Sequence, residues 1–595
     1  MCGICGIYAP GRALDPAEAD IASMLSAISH RGPDASGVHH APNLSLGSAR
    51  LAIIDLVRGN QPLYSEDRQV VAVYNGEIYN YRELQRELRG RGHKLASESD
   101  SEVLTHLFEE QGISFVERLN GIFGFTLWSE HERALYIARD RFGVKPVYYH
   151  WDGETLLFAS EAKSILASGR VRPVLDREAF LELLTFQNVL SHRSLFDGIK
   201  LLPPASTLRL DESGLRIDTW WDPLPNPQPA RDRDQLPHLV GEQFEAAVER
   251  QLVSDVELAS YLSGGLDTGA VTAAAAPRLD RLTTFCTGFD TTGAEGMEAE
   301  FDERRDAREL AQHLGTHHHE LLLDPSDMEM VLPRLVHRLE VPRMSFSYPN
   351  YLTAGMTSRW VKVVLSGAGG DELFGGYPWR YEFAERDDFE GAYFGYWERL
   401  LRRDDMAGAL APGFARDVDL DRPRKVYDEF MAGGAQLSPL DRILYFESKT
   451  FLHGLLVLED KLSMAHSLEA RVPFLDNELV DFILTIPAQE KLQSGRSKDL
   501  FREAMRGRLP DNVRERKKTG FTPPQATWFQ TSQREYVREV LLSERALERG
   551  IFRPGFIESV LDDHEKGRSD RRLLIWTLVC MEWWHRVFID GEHAL

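Results

Sequence analysis

The chain of 595 residues reads as two unlike halves. The first is an α+β unit of stacked antiparallel strands between helices. The second is an α/β unit on a parallel sheet with a helical C-terminal part. Three observations predict this. Short segments that alternate apolar and polar residues recur early (Phe123 to Trp128, Ala134 to Ala138, Val147 to His150, Leu156 to Ala159), which is the period of half-buried antiparallel strands. From Leu258 onward, buried strands alternate with helices, the pattern of a parallel sheet. Between them Asp222 to Pro229 is proline-rich and suits a semi-rigid connector.

Composition bounds the function. Hydrophobic residues make up 43% and charged residues 27%, as in an ordinary globular protein. A net charge of −23 argues against a nucleic-acid partner, since a polyphosphate backbone needs basic patches. No apolar run approaches the roughly 20 residues that span a bilayer, and no signal peptide is visible. Cys2, Cys5, Cys286 and Cys580 form neither a disulfide framework nor a zinc pattern, so a reducing cytoplasm is expected.

The first half opens Met1-Cys2-Gly3-Ile4-Cys5. If Met1 is removed, Cys2 carries a thiol and a free amine of pKa near ~8 in one residue, a self-contained nucleophile and base. The alternative is a small buried strand residue, the reading given to Cys5. Arg50 lies among the apolar residues of Gly47 to Asp55 and needs a carboxylate, from the protein or a ligand. Asn75 and Gly76 follow the strand Val70 to Tyr74. A side-chain amide and a backbone N–H there could form an oxyanion hole. Asp100 begins a helical stretch, where capping is the alternative role.

Residues 2–205 resemble the glutaminase domain of class II glutamine amidotransferases. The resemblance rests on Met-Cys-Gly-Ile, His-Arg-Gly-Pro-Asp (30–34), Arg-Leu-Ala-Ile-Ile-Asp (50–55), Tyr-Asn-Gly-Glu-Ile-Tyr-Asn (74–80), Ser-Asp-Ser-Glu (99–102), Asn-Gly-Ile-Phe (120–123) and Ala-Arg-Asp-Arg-Phe-Gly-Val-Lys-Pro (138–146). It implies an N-terminal-nucleophile fold with Cys2 attacking the glutamine side-chain amide. Asn75 and Gly76 would hold the oxyanion, and Arg50 the α-carboxylate. Glu77 and Asp100 would meet the α-ammonium, with Leu51 and Ile53 also at the glutamine site.

After a linker over 206–234 and a helix from Gln235 to Leu252, the strand Leu258 to Leu262 enters Ser263-Gly264-Gly265-Leu266-Asp267 and an Ala-rich helix. Such a turn aims backbone N–H groups at an anion, and Asp267 could hold Mg²⁺ against it. The alternative is a glycine turn with no ligand. Thr287 closes the strand Leu282 to Phe289, at the end where ligands of open sheets collect. His317-His318-His319 invites a metal reading, but adjacent residues of a strand face opposite ways, so none is assigned. The strand Lys362 to Leu365 runs into a second glycine turn, Ser366 to Asp371. Two such turns could bring Asp267 and Asp371 together around Mg²⁺ and pyrophosphate. Lys498 lies in a basic loop entering a helix, where its charge could offset an acyl-phosphate transition state.

Residues 235–525 resemble the synthetase domain of asparagine synthetase and its relatives, leaving 526–595 as a helical extension without a motif. The resemblance rests on Leu-Ser-Gly-Gly-Leu-Asp (262–267), Leu-Gly-Thr (314–316) with His-His-Glu (318–320), Leu365 to Tyr377, Met464 to Asp476, Lys498, and Lys518-Thr519-Gly520-Phe521. It implies ATP at Leu262, Ser263, Gly264, Gly265, Asp267, Thr287, Ser366 and Gly367. It implies Mg²⁺ at Asp267 and Asp371, and Lys498 on the reacting phosphate. The chain departs from the family at Thr268-Gly269, at Ala368, where the well-studied members carry Glu, and at Pro342 to Ser345. The expected activity is glutamine-dependent amide synthesis through an acyl-adenylate, with aspartate as acceptor and a homodimer possible. The rivals are a relative with another carboxylate acceptor, and a regulator that binds glutamine or ATP without turnover.

Overall fold

In the computed structural model, residues 2–15, 21–228, 234–294, 296–492, 496–517, 520 and 522–592 are described. The first half contributes twelve of the strands: β1 (Cys2–Tyr8), β2 (Ala35–Ala41), β3 (Leu44–Arg50), β4 (Leu63–Tyr64), β5 (Val70–Ile78), β6 (Gly121–Ser129), β7 (Ala134–Arg139), β8 (Tyr148–Trp151), β9 (Leu156–Ala159), β10 (Lys200–Leu201), β11 (Ser206–Asp211) and β12 (Gly214–Thr219). They form two antiparallel six-stranded sheets, ordered β10-β8-β9-β1-β3-β2 and β12-β11-β7-β6-β5-β4.

Side-chain alternation divides the layers. On β1, Ile4 and Tyr8 point into the core between the sheets, against Val71, Val73, Trp128 and Leu135. Cys5 and Ile7 point the other way, into a core with Ile165, Phe180 and Leu184 on helices Ala162–Ala167 and Arg177–Phe186. Cys2 shares the parity of Ile4 and so belongs to the inter-sheet face, three residues from a cysteine on the opposite one. Helices Tyr81–Gly90 and Val103–Gln111 cover the outer face of the second sheet with Leu84, Leu88, Leu104 and Leu107. The expected stack of two sheets between helices is therefore present.

The second half holds β13 (Leu258–Tyr261), β14 (Thr283–Phe289), β15 (His317–Leu323), β16 (Val363–Leu365) and β17 (Glu469–Arg471). All are parallel, in the order β15-β14-β13-β16-β17. The chain winds outward from β13 through β14 to β15, then restarts on the other side at β16. The direction of winding reverses between β13 and β16, the position where open α/β sheets bind ligands beyond the strand ends. Both glycine turns leave the sheet there. The three histidines of β15 behave as strand residues: His318 Nδ1 lies 3.0 Å from the Thr284 hydroxyl, and His319 stacks on Phe285.

The segment after 525 forms helices Gln525–Gln530, Arg534–Leu541, Glu544–Glu548, Phe556–Glu565 and Arg572–Trp584. Trp576 and Trp584 are fully buried, and the Trp584 indole donates to the Glu340 carbonyl at 2.9 Å. This segment is part of a core shared with β1 and helix Arg177–Phe186. A buried ionic seam also fastens the halves. Arg31 lies between Glu161 (2.9 Å) and Asp460 (2.8 Å), Lys145 reaches Asp460 at 3.1 Å, and Glu340 pairs with Lys461 and Lys163. Among the described residues no helix is long and apolar enough to cross a membrane.

Candidate functional site

Cys2 sits at the start of β1, opposite Arg50 of β3. Its N–H donates to Asn75 Oδ1 at 3.0 Å, and its carbonyl accepts from Arg31 Nε at 3.2 Å. Gln61 Nε2 approaches the sulfur at 3.3 Å. Burial pushes the thiol pKa up, opposed by a hydrogen bond from the Leu51 backbone and by the charge of Arg50. Asn75 Nδ2 is buried without a hydrogen-bond partner among the described residues, a donor on the same amide that holds the Cys2 N–H. Gly76 lies opposite Phe123, whose N–H and carbonyl are both spent on Asp140. Gly76 therefore occupies a non-hydrogen-bonded pair, and its N–H turns away from β6.

Glu77 and Asp100 are both buried carboxylates. Burial, and for Glu77 also the nearby Asp100 charge, raises both pKa values. Asp100 Oδ2 accepts from the Tyr74 hydroxyl (2.7 Å) and the Ile78 N–H (3.1 Å), a link to β5 in place of a helix cap. Glu77 Oε2 lies 3.2 Å from Arg471, while its Oε1 has no hydrogen-bond partner among the described residues. Two buried acids with capacity to spare suit a cation.

Among the described residues no carboxylate pairs with Arg50, so of its two expected partners a ligand's carboxylate is the one left open. The Arg50 guanidinium donates to the carbonyls of Ile54 (3.1 Å) and Asp55 (2.7 Å) and to Asn60 Oδ1 (3.1 Å). The reason is local: after Arg50 the chain leaves the sheet, and Leu51 to Asn60 folds back around the guanidinium. Leu51, Ile53, Ser99 and Ser101 complete the wall. The free space is about 20 Å³, room for a water rather than an amino acid. The loop that forms this wall is exposed at Leu56, Val57 and Arg58.

The second cavity is larger, about 480 Å³, at the switch between β13 and β16. Leu262, Ser263, Gly265, Asp267, Thr287, Ser366, Gly367, Asp371 and Lys498 all line it. Gly264 does not: its carbonyl accepts from Arg516 at 3.3 Å, and a side chain there would meet Arg516 and Asp306. Thr268 and Ser263 close the first turn, with the Ser263 N–H donating to Thr268 Oγ1 at 3.0 Å. The Ser263 hydroxyl in turn accepts from the Gly265 N–H at 3.1 Å. Asp267 and Asp371 each lie in the first turn of a helix, Leu266–Ala275 and Gly370–Phe374, so neither is the capping residue. Lys498 brings them together. Its Nζ is 2.6 Å from both Asp267 oxygens and 2.5 Å from Asp371 Oδ1, and the residue is 3% exposed.

Reading the sequence missed two residues. Gln61 carries no motif, and its approach to Cys2 comes from the pairing of β4 with β5. Glu459 lines the larger cavity beside Ser366, and burial raises its carboxyl pKa to about 6. Its sequence signal was an acid opening a polar run in an apolar helix. Of the Lys518 to Phe521 motif only Gly520 is described, and it lines the cavity; Lys518, Thr519 and Phe521 lie outside the described residues.

Both halves resemble known proteins. Residues 1–221 match the glutamine amidotransferase domain and residues 239–586 match asparagine synthase. Asparagine synthetase [glutamine-hydrolyzing] 1 of Bacillus subtilis is 30% identical over all of this chain and 98% of its own length. Asparagine synthetase [glutamine-hydrolyzing] 3 of the same organism is 32% identical over 92% of this chain and 93% of its own. Asparagine synthetase [glutamine-hydrolyzing] 2 of Oryza sativa is 33% identical over 65% of this chain and 62% of its own. With a thiol pocket in the first matched region and a cavity holding two converging aspartates in the second, this chain belongs to the asparagine synthase family and carries a glutamine amidotransferase domain.

Proposed function

We propose that the chain is an ATP-dependent amide ligase that hydrolyses glutamine in its first half (2–205) and uses the ammonia in its second (235–525), across the 206–234 linker. The acceptor is L-aspartate, and the products are L-asparagine, AMP and pyrophosphate. One observation supports this reading most strongly. The two pockets lie back to back across a single residue, Arg471, whose side chain meets Glu77 at 3.2 Å and whose carbonyl accepts the Ser366 N–H at 2.8 Å.

In the first pocket the Cys2 sulfur attacks the side-chain carbonyl carbon of glutamine. Asn75 Nδ2 and the Gly76 N–H face the oxyanion that develops. With Met1 removed, the Cys2 amine takes the thiol proton and passes it to the leaving ammonia. Glu77 and Asp100 receive the α-ammonium, and Arg50 the α-carboxylate once the wall opens. Water then releases glutamate from the thioester.

In the second pocket the acceptor carboxylate attacks the α-phosphorus of ATP and pyrophosphate leaves. The Ser263-to-Gly265 turn and the Ser366–Gly367 turn enclose the phosphates; the N–H groups of Ser263, Gly265 and Ser366 are spent within the protein, so the N-terminus of helix Leu266–Ala275 supplies the backbone donors. Asp267 and Asp371 supply hard oxygen donors within reach of one cation, the place that the Lys498 ammonium takes here, and this donor set fits Mg²⁺. Bound there, Mg²⁺ supplies charge neutralisation on the pyrophosphate oxygens. Lys498, released from the aspartates, places its charge on the reacting phosphate. Ammonia crosses the seam between the halves without meeting bulk water, and displaces AMP from the acyl group.

Replacing the nucleophile tests the division of labour. Cys2→Ala abolishes glutamine-dependent asparagine formation and leaves ammonia-dependent formation at the wild-type rate. Loss of both activities overturns the reading. Pyrophosphate release with aspartate, set against a panel of other carboxylates, tests the acceptor: no preference for aspartate overturns that assignment.

A further inference from the structure

We propose a divalent transition-metal site, of the kind zinc occupies, on the outer face of the first half, formed by Glu66, His93, His106 and Glu109. Their ligand atoms lie within 4.8 Å of one another. They come from three segments: the β4–β5 turn, the loop after helix Tyr81–Gly90, and helix Val103–Gln111, where His106 and Glu109 share a face.

The proposal rests on how the imidazoles are turned. His93 Nε2 meets Glu110 Oε1 at 3.0 Å, and His106 Nε2 faces Glu102 Oε1 at 3.6 Å. A carboxylate accepts only, so His93 carries its proton on Nε2 and a lone pair on Nδ1, while His106 Nε2 makes no hydrogen bond among the described residues. The two Nδ1 atoms face each other at 3.2 Å, joined by one hydrogen bond when His106 carries its proton on Nδ1. Moving that proton to Nε2 turns both Nδ1 lone pairs toward the space between the rings, where a cation replaces it. The separation is close to the edge of a tetrahedron whose metal–nitrogen bonds are about 2.0–2.1 Å. Glu109 Oε2 stands 3.8 Å from each Nδ1. Glu66 is the fourth member, its Oε1 also accepting the Lys94 N–H. Two imidazoles and two carboxylates are a borderline donor set that suits zinc over magnesium or calcium. Glu110 then orients the His93 ring from behind, as carboxylates commonly do around metal-bound histidines.

The position gives the site a purpose. His93 and His106 bracket the segment that delivers Ser99, Asp100 and Ser101 to the thiol pocket. An ion there staples both ends of that segment and fixes Asp100 from outside, so it is structural.

The test uses tag-free, full-length protein with Cys2→Ala, which removes the competing thiol. Equilibrium dialysis against Zn²⁺ followed by elemental analysis is expected to show one equivalent bound, lost in His93→Gln/His106→Gln. Co²⁺ in place of zinc is expected to give visible bands of a tetrahedral site without thiolate. Because the double variant could fold poorly, Glu110→Gln on the surface is the second probe, with an affinity roughly 10–100-fold weaker. Equal zinc content in the Cys2→Ala protein and the histidine variant, or an affinity unchanged by Glu110→Gln, overturns the proposal.

Discussion

Gln61 and Glu459 show what single side chains do here beyond the motifs. Leu63 of β4 pairs with Ala72 of β5, and the next ladder position toward the thiol, at Tyr74, is filled by the Gln61 side chain. Gln61 Oε1 accepts the Tyr74 N–H at 2.7 Å, and Nε2 donates to the Tyr74 carbonyl at 2.9 Å while reaching the sulfur. Gln61→Leu strips partners from two buried backbone groups at about 1–3 kcal/mol each. It is expected to lower the melting temperature and the glutaminase rate and to spare ammonia-dependent synthesis; an unchanged glutaminase rate would remove Gln61 from the site. Glu459 makes a pH-dependent contribution. Its folded pKa of about 6 exceeds the ordinary 4.5, with burial the first cause. The neutral form is thus favoured by folding. The stabilisation is complete below about 4.5 and lost as pH rises through about 6. Glu459→Gln stays neutral throughout. Its melting temperature should match that of the wild type at the acid end, rise above it as pH passes from about 4.5 to about 6, and hold a steady lead at higher pH. A gap that does not change as pH passes through that interval would contradict a raised carboxyl pKa.

Strand β5 is the element on which the thiol pocket depends, and it marks how far sequence reasoning reached. Val70 to Tyr74 was legible as a strand from its apolar run. Asn75 to Ile78 read as the residues that follow it, yet they continue the strand because β6 pairs with them as far as Gly121. That pairing joins residues some forty positions apart, which local patterning does not encode. The same limit hid Gln61, whose place depends on β4 meeting β5. It hid the carbonyl cage of Arg50, because a loop folding back on a guanidinium leaves no periodic trace. The glycine turns were legible because their chemistry is local: a strand end, small residues, an acid and a helix start. Gly76 itself has a steric reason. A Cβ there would lie 2.3 Å from the Ile122 carbonyl oxygen and 2.7 Å from Phe123 Cα. Both are backbone atoms of the paired strand and cannot yield without opening the β5–β6 ladder. Gly76→Ala should therefore move the N–H and the Asn75 amide together and cut glutamine turnover at least tenfold, or about 1.4 kcal/mol in the barrier. Wild-type glutaminase kinetics in this variant would place the oxyanion donor elsewhere.

At the scale of the whole molecule the two halves do not meet as separate bodies. One core runs from Leu104 and Phe123 under the second sheet into Phe244, Phe474 and Phe501 of the synthetase half. Arg471 lies where that continuity touches both pockets. It is fully buried, pairs with Glu469 at 2.5 Å and Glu77 at 3.2 Å, and donates to the carbonyls of Gln251 and Val253 at 2.7 Å. Arg471→Met keeps much of the volume but leaves two acids without their cation in a dry interior. Breaking a buried pair in this way costs about 3–5 kcal/mol. By contrast, Lys362 and Asp34 also link the halves, at 2.7 Å, but are 38% and 32% exposed, and losing such a pair costs about 0–1 kcal/mol. The comparison separates a bridge that carries the assembly from one that decorates its rim. Arg471→Met is expected to lower the melting temperature as one transition and to impair both glutamine hydrolysis and ammonia-dependent synthesis, because Glu77 and Ser366 lose their common support. Lys362→Ala should leave all three measurements near wild type. If Arg471→Met damaged glutamine hydrolysis alone, Arg471 would belong to the first pocket only, and the physical link between the two sites would have to lie along Arg31, Asp460 and Lys145 instead.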